Sequence, residues 1–285
     1  MGGAAGGGLR RTSAAGVRHA VAGAHPRASA RPCRHGCAGP RARRGADAAS
    51  ARDVLETLAG HCRRTTGVDV RTEIFSGEPA DAVVLAADRV AFVVVGHSDH
   101  GGVAEFLLGS TAQRLARSCP WPVVVVRDEV AVDGRHDGGP VVVGVDGTEV
   151  SRRALRFAFE FAARHAAEVV VLHAAGGGAT SVAEPVEITG EEALDADRGP
   201  VGAELAVRAR RLPGVRHRLT SVGGPAVDAL LSASAEASLL VVGSHGKGAV
   251  RRAFMGSVSH AVVDRASCAV AVLSAEPGPS GGARW

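Results

Sequence analysis

Tyrosine is absent from this 285-residue chain, lysine occurs once, at Lys247, and aromatic residues make up only 3% of it. A groove for single-stranded nucleic acid needs aromatic faces interleaved with basic residues, so this scarcity argues against one. Nowhere do about 18 apolar residues follow one another, which excludes a conventional membrane-spanning helix. The five cysteines are scattered and odd in number, against a disulfide framework and in favour of a reducing, cytoplasmic compartment. Cys33 and Cys37 flank His35 without the second pair that a zinc site would need, so no metal site is expected. Catalytic signatures are missing as well. Lys247 is followed by Gly248 rather than the Ser or Thr of a Walker A loop, and none of the 12 histidines forms His-Glu-x-x-His. Ser244 and Ser257 have no evident base with an orienting acid, and no catalytic residue is assigned.

What is present is unevenly distributed. The apolar fraction of 46% suffices for packed cores, but the net charge of +4 is concentrated at one end. Ten arginines, from Arg10 to Arg52, stand against one acid, Asp47. Such a tail has the charge to meet nucleic acid or a membrane surface. Without aromatics or helical periodicity, and rich in glycine and proline, it reads as disordered, and neither partner is expected. It is acid-poor like a transit peptide but carries no apolar core for secretion.

Sliding the sequence against itself by 147 residues aligns 67–129 with 214–276 without a gap. Gly77 falls on Gly224, Val94-Val95-Gly96 on Val241-Val242-Gly243, and Gly109-Ser110 on Gly256-Ser257. Agreement concentrated on glycines indicates duplicated backbone geometry. In the second copy, strands are expected at Val141–Val145, Val169–Leu172, Val215–Val222, Leu239–Val242 and Ala269–Leu273. Helices are expected at Ser151–Ala167, Glu191–Arg211, Val227–Glu236 and Ser257–Arg265. Ala154, Leu155, Ala158, Phe159 and Ala162 share one face of the first of these. Alternation of this kind implies right-handed crossovers and a doubly wound, mostly parallel five-stranded α/β sheet, here duplicated.

The first copy is incomplete. It offers helices near Val54–Arg63, Ala80–Ala87 and Ser110–Ser118, and strands at Val68–Phe75, Phe92–Val95 and Val123–Val126. Its first strand, first helix and second strand are replaced by the Arg/Gly/Ala/Pro segment. The domain reading is therefore a disordered or mistranslated segment at 1–52, read from a wrong frame or from a damaged gene, and a partial domain at 53–129. A linker at 130–139, a complete domain at 140–274 and a disordered tail at 275–285 follow.

Gly243-Ser244-His245-Gly246-Lys247-Gly248, then Gly256-Ser257, lies between a buried strand and a helix. A glycine-rich turn there lets backbone N–H groups approach phosphate oxygens, and the helix start supplies unpaired amides and a positive dipole end. Ser257 can cap that helix or donate to a phosphate. Asp146, at the end of the first strand, can accept from a ribose or purine edge, or cap the following helix.

Val143-Gly144-Val145-Asp146-Gly147-Thr148, together with the Gly-x2-Gly-x9-Gly-Ser spacing of 243–257, resembles the universal stress protein family. The resemblance covers 140–274 fully and about 53–127 partly, as in a tandem member. It implies an adenine nucleotide α-hydrolase-like, Rossmann-like fold that binds ATP, with or without Mg. Gly144, Val145 and Asp146 would lie beside the adenosine, and His173 or Ala174 would meet adenine through backbone atoms. Gly243, Gly246, Gly256, Ser257 and Val258 would surround ribose and phosphates, with Ser244, His245, Lys247 and Gly248 in the same loop; Arg251 and Arg252 read better as a solvated face. In the first copy Asp99 aligns with Gly246, and a carboxylate there repels phosphate. One intact site is expected, in a nucleotide-dependent stress-response protein. Weak ATP hydrolysis or autophosphorylation is left open; a non-binding dimerisation module is the alternative, and an adenylate-utilising enzyme the third reading. Val123–Val126 is expected to pair with Ala269–Leu273, within one chain or between two.

Overall fold

Short runs of valine and leucine between glycine or polar turns become the central strands of the larger sheet, buried on both faces. The computed structural model describes residues 20–21, 40–87, 90–97, 109–127, 138–175, 186–189, 199–245 and 255–274. The chain divides into two compact units, Met1–Val90 and Ala91–Trp285. This division does not follow the repeat boundary, because the last elements of the first repeat share a sheet with the second.

The first unit contains strand β1 (Ala20–Val21), helix α1 (Pro40–Thr66), strand β2 (Arg71–Thr72) and helix α2 (Pro79–Ala86). Helix α1, expected near 54–63, is 27 residues long and begins inside the segment expected to be disordered or mistranslated. Residues 1–19 and 22–39 of that segment lie outside the described ones. Leu55 and Ala59, four apart on α1, are buried. The strand expected over 68–75 shrinks to two residues, paired in parallel as Ala20↔Arg71 and Val21↔Thr72. The counterpart of β2 in the second repeat runs for seven residues because neighbours satisfy its backbone groups along that length.

The second unit opens with β3 (Val93–Gly96), α3 (Ser110–Ser118) and β4 (Val123–Val126). It continues with β5 (Val141–Val145), α4 (Glu149–His165), β6 (Val169–Ala175), β7 (Val186–Thr189), α5 (Pro200–Arg211) and β8 (His217–Gly223). Helix α6 (Ala226–Ser234), β9 (Leu239–Gly243), α7 (Ser257–Arg265) and β10 (Ala269–Leu273) complete it. The sheet order is β3-β4-β10-β9-β5-β6-β8-β7. Within it, β10-β9-β5-β6-β8 is the expected parallel five-stranded sheet. Strand β7 adds an antiparallel edge where no element is expected, and the helix expected from 191 begins at Pro200; residues 191–198 lie outside the described ones.

Strand β5 fixes the position of everything around it. Val141, Val143 and Val145 pack into one core with Leu155, Phe159 and Ala162 of α4. Gly144, of opposite parity, faces Leu230 of α6. Helices therefore cover both faces of the sheet. Burial of Phe159, fully enclosed, contributes about 1.5–3 kcal/mol.

Strands β4 and β10 pair, as expected, and they run antiparallel with Val124 opposite Ala271. Ala271 is the repeat equivalent of Val124, and the flanking pairs Val123↔Val272 and Val125↔Val270 exchange equivalents. The pairing is thus centred on a pseudo-two-fold axis. Just beyond these strands, Arg127 donates to the Val263 carbonyl of α7 at 3.2 Å, and Ser274 Oγ donates to the Cys119 carbonyl after α3 at 2.7 Å. Each repeat thereby satisfies a carbonyl at the end of the other's last helix.

Candidate functional site

The strand order reverses at β5: the chain runs from β5 to β6 and β8 on one side, then crosses to β9 and β10 on the other. A crevice opens where such an order reverses, at the carboxyl ends of the strands. Here it is a cavity of about 370 Å³, within the size range of small-molecule sites.

Its walls come from several elements. Gly144, Val145 and Asp146 end β5; Leu172 and Ala174 come from β6; Val242, Gly243 and His245 end β9. Ala226 and Leu230 of α6 and Ser151 of α4 close the sides, and Gly256, Ser257, Val258 and Ser259 bring the start of α7.

Asp146 does local work that its position in the sequence only partly discloses. Its Oδ1 accepts from the Thr148 N–H at 3.0 Å and from the Thr148 hydroxyl at 2.6 Å. Thr148 is the N-cap of α4, and its Oγ1 accepts from the Ser151 N–H at 3.3 Å. Asp146 thus braces the turn that Gly147, at φ 81°, allows, and Thr148 rather than Asp146 caps the helix.

The glycine loop is closed at its base. The Gly256 N–H donates to the Ser244 carbonyl at 2.7 Å, and Ser259 Oγ donates to the same carbonyl at 3.1 Å and to Gly256 O at 3.0 Å. The Ser244 N–H donates to Leu273 O at 2.7 Å. Gly246, Lys247, Gly248, Arg251 and Arg252 lie outside the described residues. Gly256 is the N-cap of α7 and Ser257 its first residue, so of the two roles open to Ser257 the side-chain cap is not the one adopted. The His260 N–H is the first to bond back, to Gly256 O at 2.9 Å. The amides of Ser257, Val258 and Ser259 accordingly have no intrahelical acceptor.

Neighbouring residues of the expected site divide between the cavity and its surroundings. Ala174 and Leu172 face the cavity, whereas His173, of opposite parity, does not line it. Gly243 and His245 line it, whereas Ser244 between them is fully buried. Gly144, Val145, Asp146, Gly256, Ser257 and Val258 lie where expected. Leu172, Val242, Ala226, Leu230, Ser151 and Ser259 carry no motif of their own. Two of them follow from others by spacing: Leu172 is two residues from Ala174 on a strand, and Leu230 four from Ala226 on a helix.

A model of the universal stress protein family matches residues 32–127 and 139–274, thus both repeats. A universal stress protein of Mycobacterium tuberculosis is 34% identical over 232 residues, covering 78% of this chain and 76% of that protein. A solved universal stress protein from Archaeoglobus fulgidus shares the fold, with a TM-score of 0.62 and 20% identity over 84% of this chain and 83% of its own. A universal stress protein solved in complex with cAMP is 28% identical over 47% of this chain and 95% of its own, with a TM-score of 0.35. On the match to both repeats and the identity to a relative of similar extent, the chain belongs to the universal stress protein family.

Proposed function

We propose that the second repeat binds an adenine nucleotide, ATP, and that the protein is a nucleotide-dependent stress-response regulator rather than an enzyme. One observation carries this reading: a single cavity joins an apolar wall to the open amides of a helix start. Leu172, Ala174 and Val242, with Gly144 leaving room between them, offer the apolar surface that a purine needs, and Asp146 is the carboxylate among the described lining residues. The amides of Ser257, Val258 and Ser259 suit a phosphate. Gly246, Lys247 and Gly248 join this site on the strength of the loop spacing. Mg²⁺ would enter as the counter-ion of the phosphates.

Absence of turnover is supported by Ser244, whose hydroxyl is fully buried beside His245 rather than presented to the cavity. A second reading, a module in which the two repeats associate without nucleotide, rests on the pairing of β4 with β10, which joins them as a pseudo-dimer within one chain. The free thiols of Cys62, Cys119 and Cys268 suit a cytoplasmic setting.

Calorimetric titration of the purified full chain with ATP, alongside a Gly246→Asp variant, tests the proposal. Binding to the native chain that Gly246→Asp abolishes is expected, because the variant copies the carboxylate of Asp99. No binding to the native chain would leave the dimerisation module. Steady release of phosphate from ATP, lost in the variant, would make it an enzyme.

A further inference from the structure

One buried side-chain nitrogen of the cavity has no partner among the described residues. His245 lines the cavity with its Nδ1 2.8 Å from Ser244 Oγ, while its Nε2 is buried and unbonded. Buried ring nitrogens are ordinarily paired, so an unpaired one beside a cavity marks the place of a ligand atom. The ring is also fixed. Ser244 is fully buried and held through its N–H to Leu273 and through its carbonyl to Gly256 and Ser259. Its hydroxyl has one proton; donated to Nδ1, it selects the tautomer that carries hydrogen on Nε2.

The place of this donor indicates what it meets. A Cβ built on Gly256 would lie 3.7 Å from His245 Cα and 3.3 Å from Ser244 O. The imidazole is therefore carried beside the N-cap of α7, where the open amides and the dipole favour an anion.

We propose that Ser244 and His245 form a positioned donor for the anionic part of the ligand. His245 Nε2–H donates to a phosphate oxygen, and Ser244 is the positioning residue that orients the ring through Nδ1. The proposal rests on the nucleotide reading above, and it assigns phosphate recognition to a side chain besides the loop backbone.

Titrating the full chain with adenosine, AMP and ATP tests it through a pair of replacements. The amide of His245→Gln reaches the position of Nε2, whereas that of His245→Asn reaches only the position of Nδ1. The Asn variant should lose about tenfold or more in affinity for AMP and ATP, as expected for one charge-assisted hydrogen bond, with adenosine unaffected. The Gln variant should stay within about threefold of the native chain. Ser244→Ala should weaken AMP and ATP binding in the native background and add nothing to His245→Asn. Ser244→Thr, which keeps the hydroxyl, should bind as the native chain does, and thermal unfolding of each variant separates loss of fold from loss of contact. Retained affinity in the Asn variant, equal losses for adenosine and AMP, or additivity of Ser244→Ala with His245→Asn would each overturn the proposal. If the native chain binds none of the three ligands, the nucleotide reading fails with it; if the native chain binds and the variants do not differ, this assignment alone fails.

Discussion

At Gly243 a hydrogen atom stands where a side chain would collide with the neighbouring helix. A Cβ there would lie 2.8 Å from Val150 Cγ1 and 3.3 Å from Val150 Cβ. Val150 is β-branched and sits in the first turn of α4, so its methyl cannot swing aside without leaving its rotamer. Gly243→Ala should therefore cost about 1–3 kcal/mol, the usual range for overpacking. Val150→Ala in the same chain should recover most of that loss, and a urea-unfolding double-mutant cycle measures the coupling. Additive effects would show that the contact is not the cause. The sequence pointed to this glycine, but for a different reason. Spacing toward Gly256 suggested an approach by phosphate, while the approach made within the protein is by Val150, on a helix whose angle to β9 no local pattern specifies. Ser244 was obscured similarly: it lies in the loop signature, yet its backbone bonds to Leu273 and Gly256 hold it in the core.

Elements of the second repeat were legible because each buried strand is a valine or leucine run and each helix shows its own period. Helix α7 and strand β10 have the expected ends, Ser257–Arg265 and Ala269–Leu273. Strand β7 was not legible, since four residues within a glycine-rich stretch become a strand only through the neighbour β8. The same dependence shortened β2. Between α3 and β4, and between α7 and β10, lie two thiols that were equally unreadable: Cys119 and Cys268 are at most 1% exposed, whereas Cys62 on α1 is exposed. Burial pushes the Cys268 thiol up to about 12, and it raises the Cys119 thiol as well, against smaller opposing backbone hydrogen bonds. The fold thus favours the protonated thiols. Their contribution to stability is complete below about pH 9 and is lost as pH rises toward 12. Urea midpoints should accordingly fall between pH 9 and 11. In the folded chain a thiol reagent should modify Cys62 and spare Cys119 and Cys268 until denaturant is added. Rapid modification of Cys268 without denaturant would show that the layer over β10 opens.

Across the second unit the two repeats share one sheet but not one environment. Strand β9 is enclosed between β10 and β5, and Val241 on it is fully buried. Strand β3, its equivalent, has β4 on one side and ends the sheet on the other among the described residues. Val94, the counterpart of Val241, is 55% exposed. The helix start is nevertheless duplicated: Gly109 and Gly256 have φ of −54° and −60°, and the first back-bonds, Gln113 to Gly109 and His260 to Gly256, are both 2.9 Å. The first repeat therefore keeps the anion end of a site while its described part supplies no strand beside β3 to form the wall that β5, at Gly144, provides in the second. Asp99 is then only one of two obstacles, and removing it should not suffice. The native chain should bind one nucleotide, and Asp99→Gly should still bind one, with stoichiometry read from calorimetry against protein concentration fixed by amino-acid analysis. A backbone cradle with the repelling charge removed gains little without the wall, because apolar contact and exclusion of water strengthen the amide–phosphate bonds. A stoichiometry of two in Asp99→Gly would mean that residues beyond the described ones complete the first site, and that its single carboxylate is what silences it.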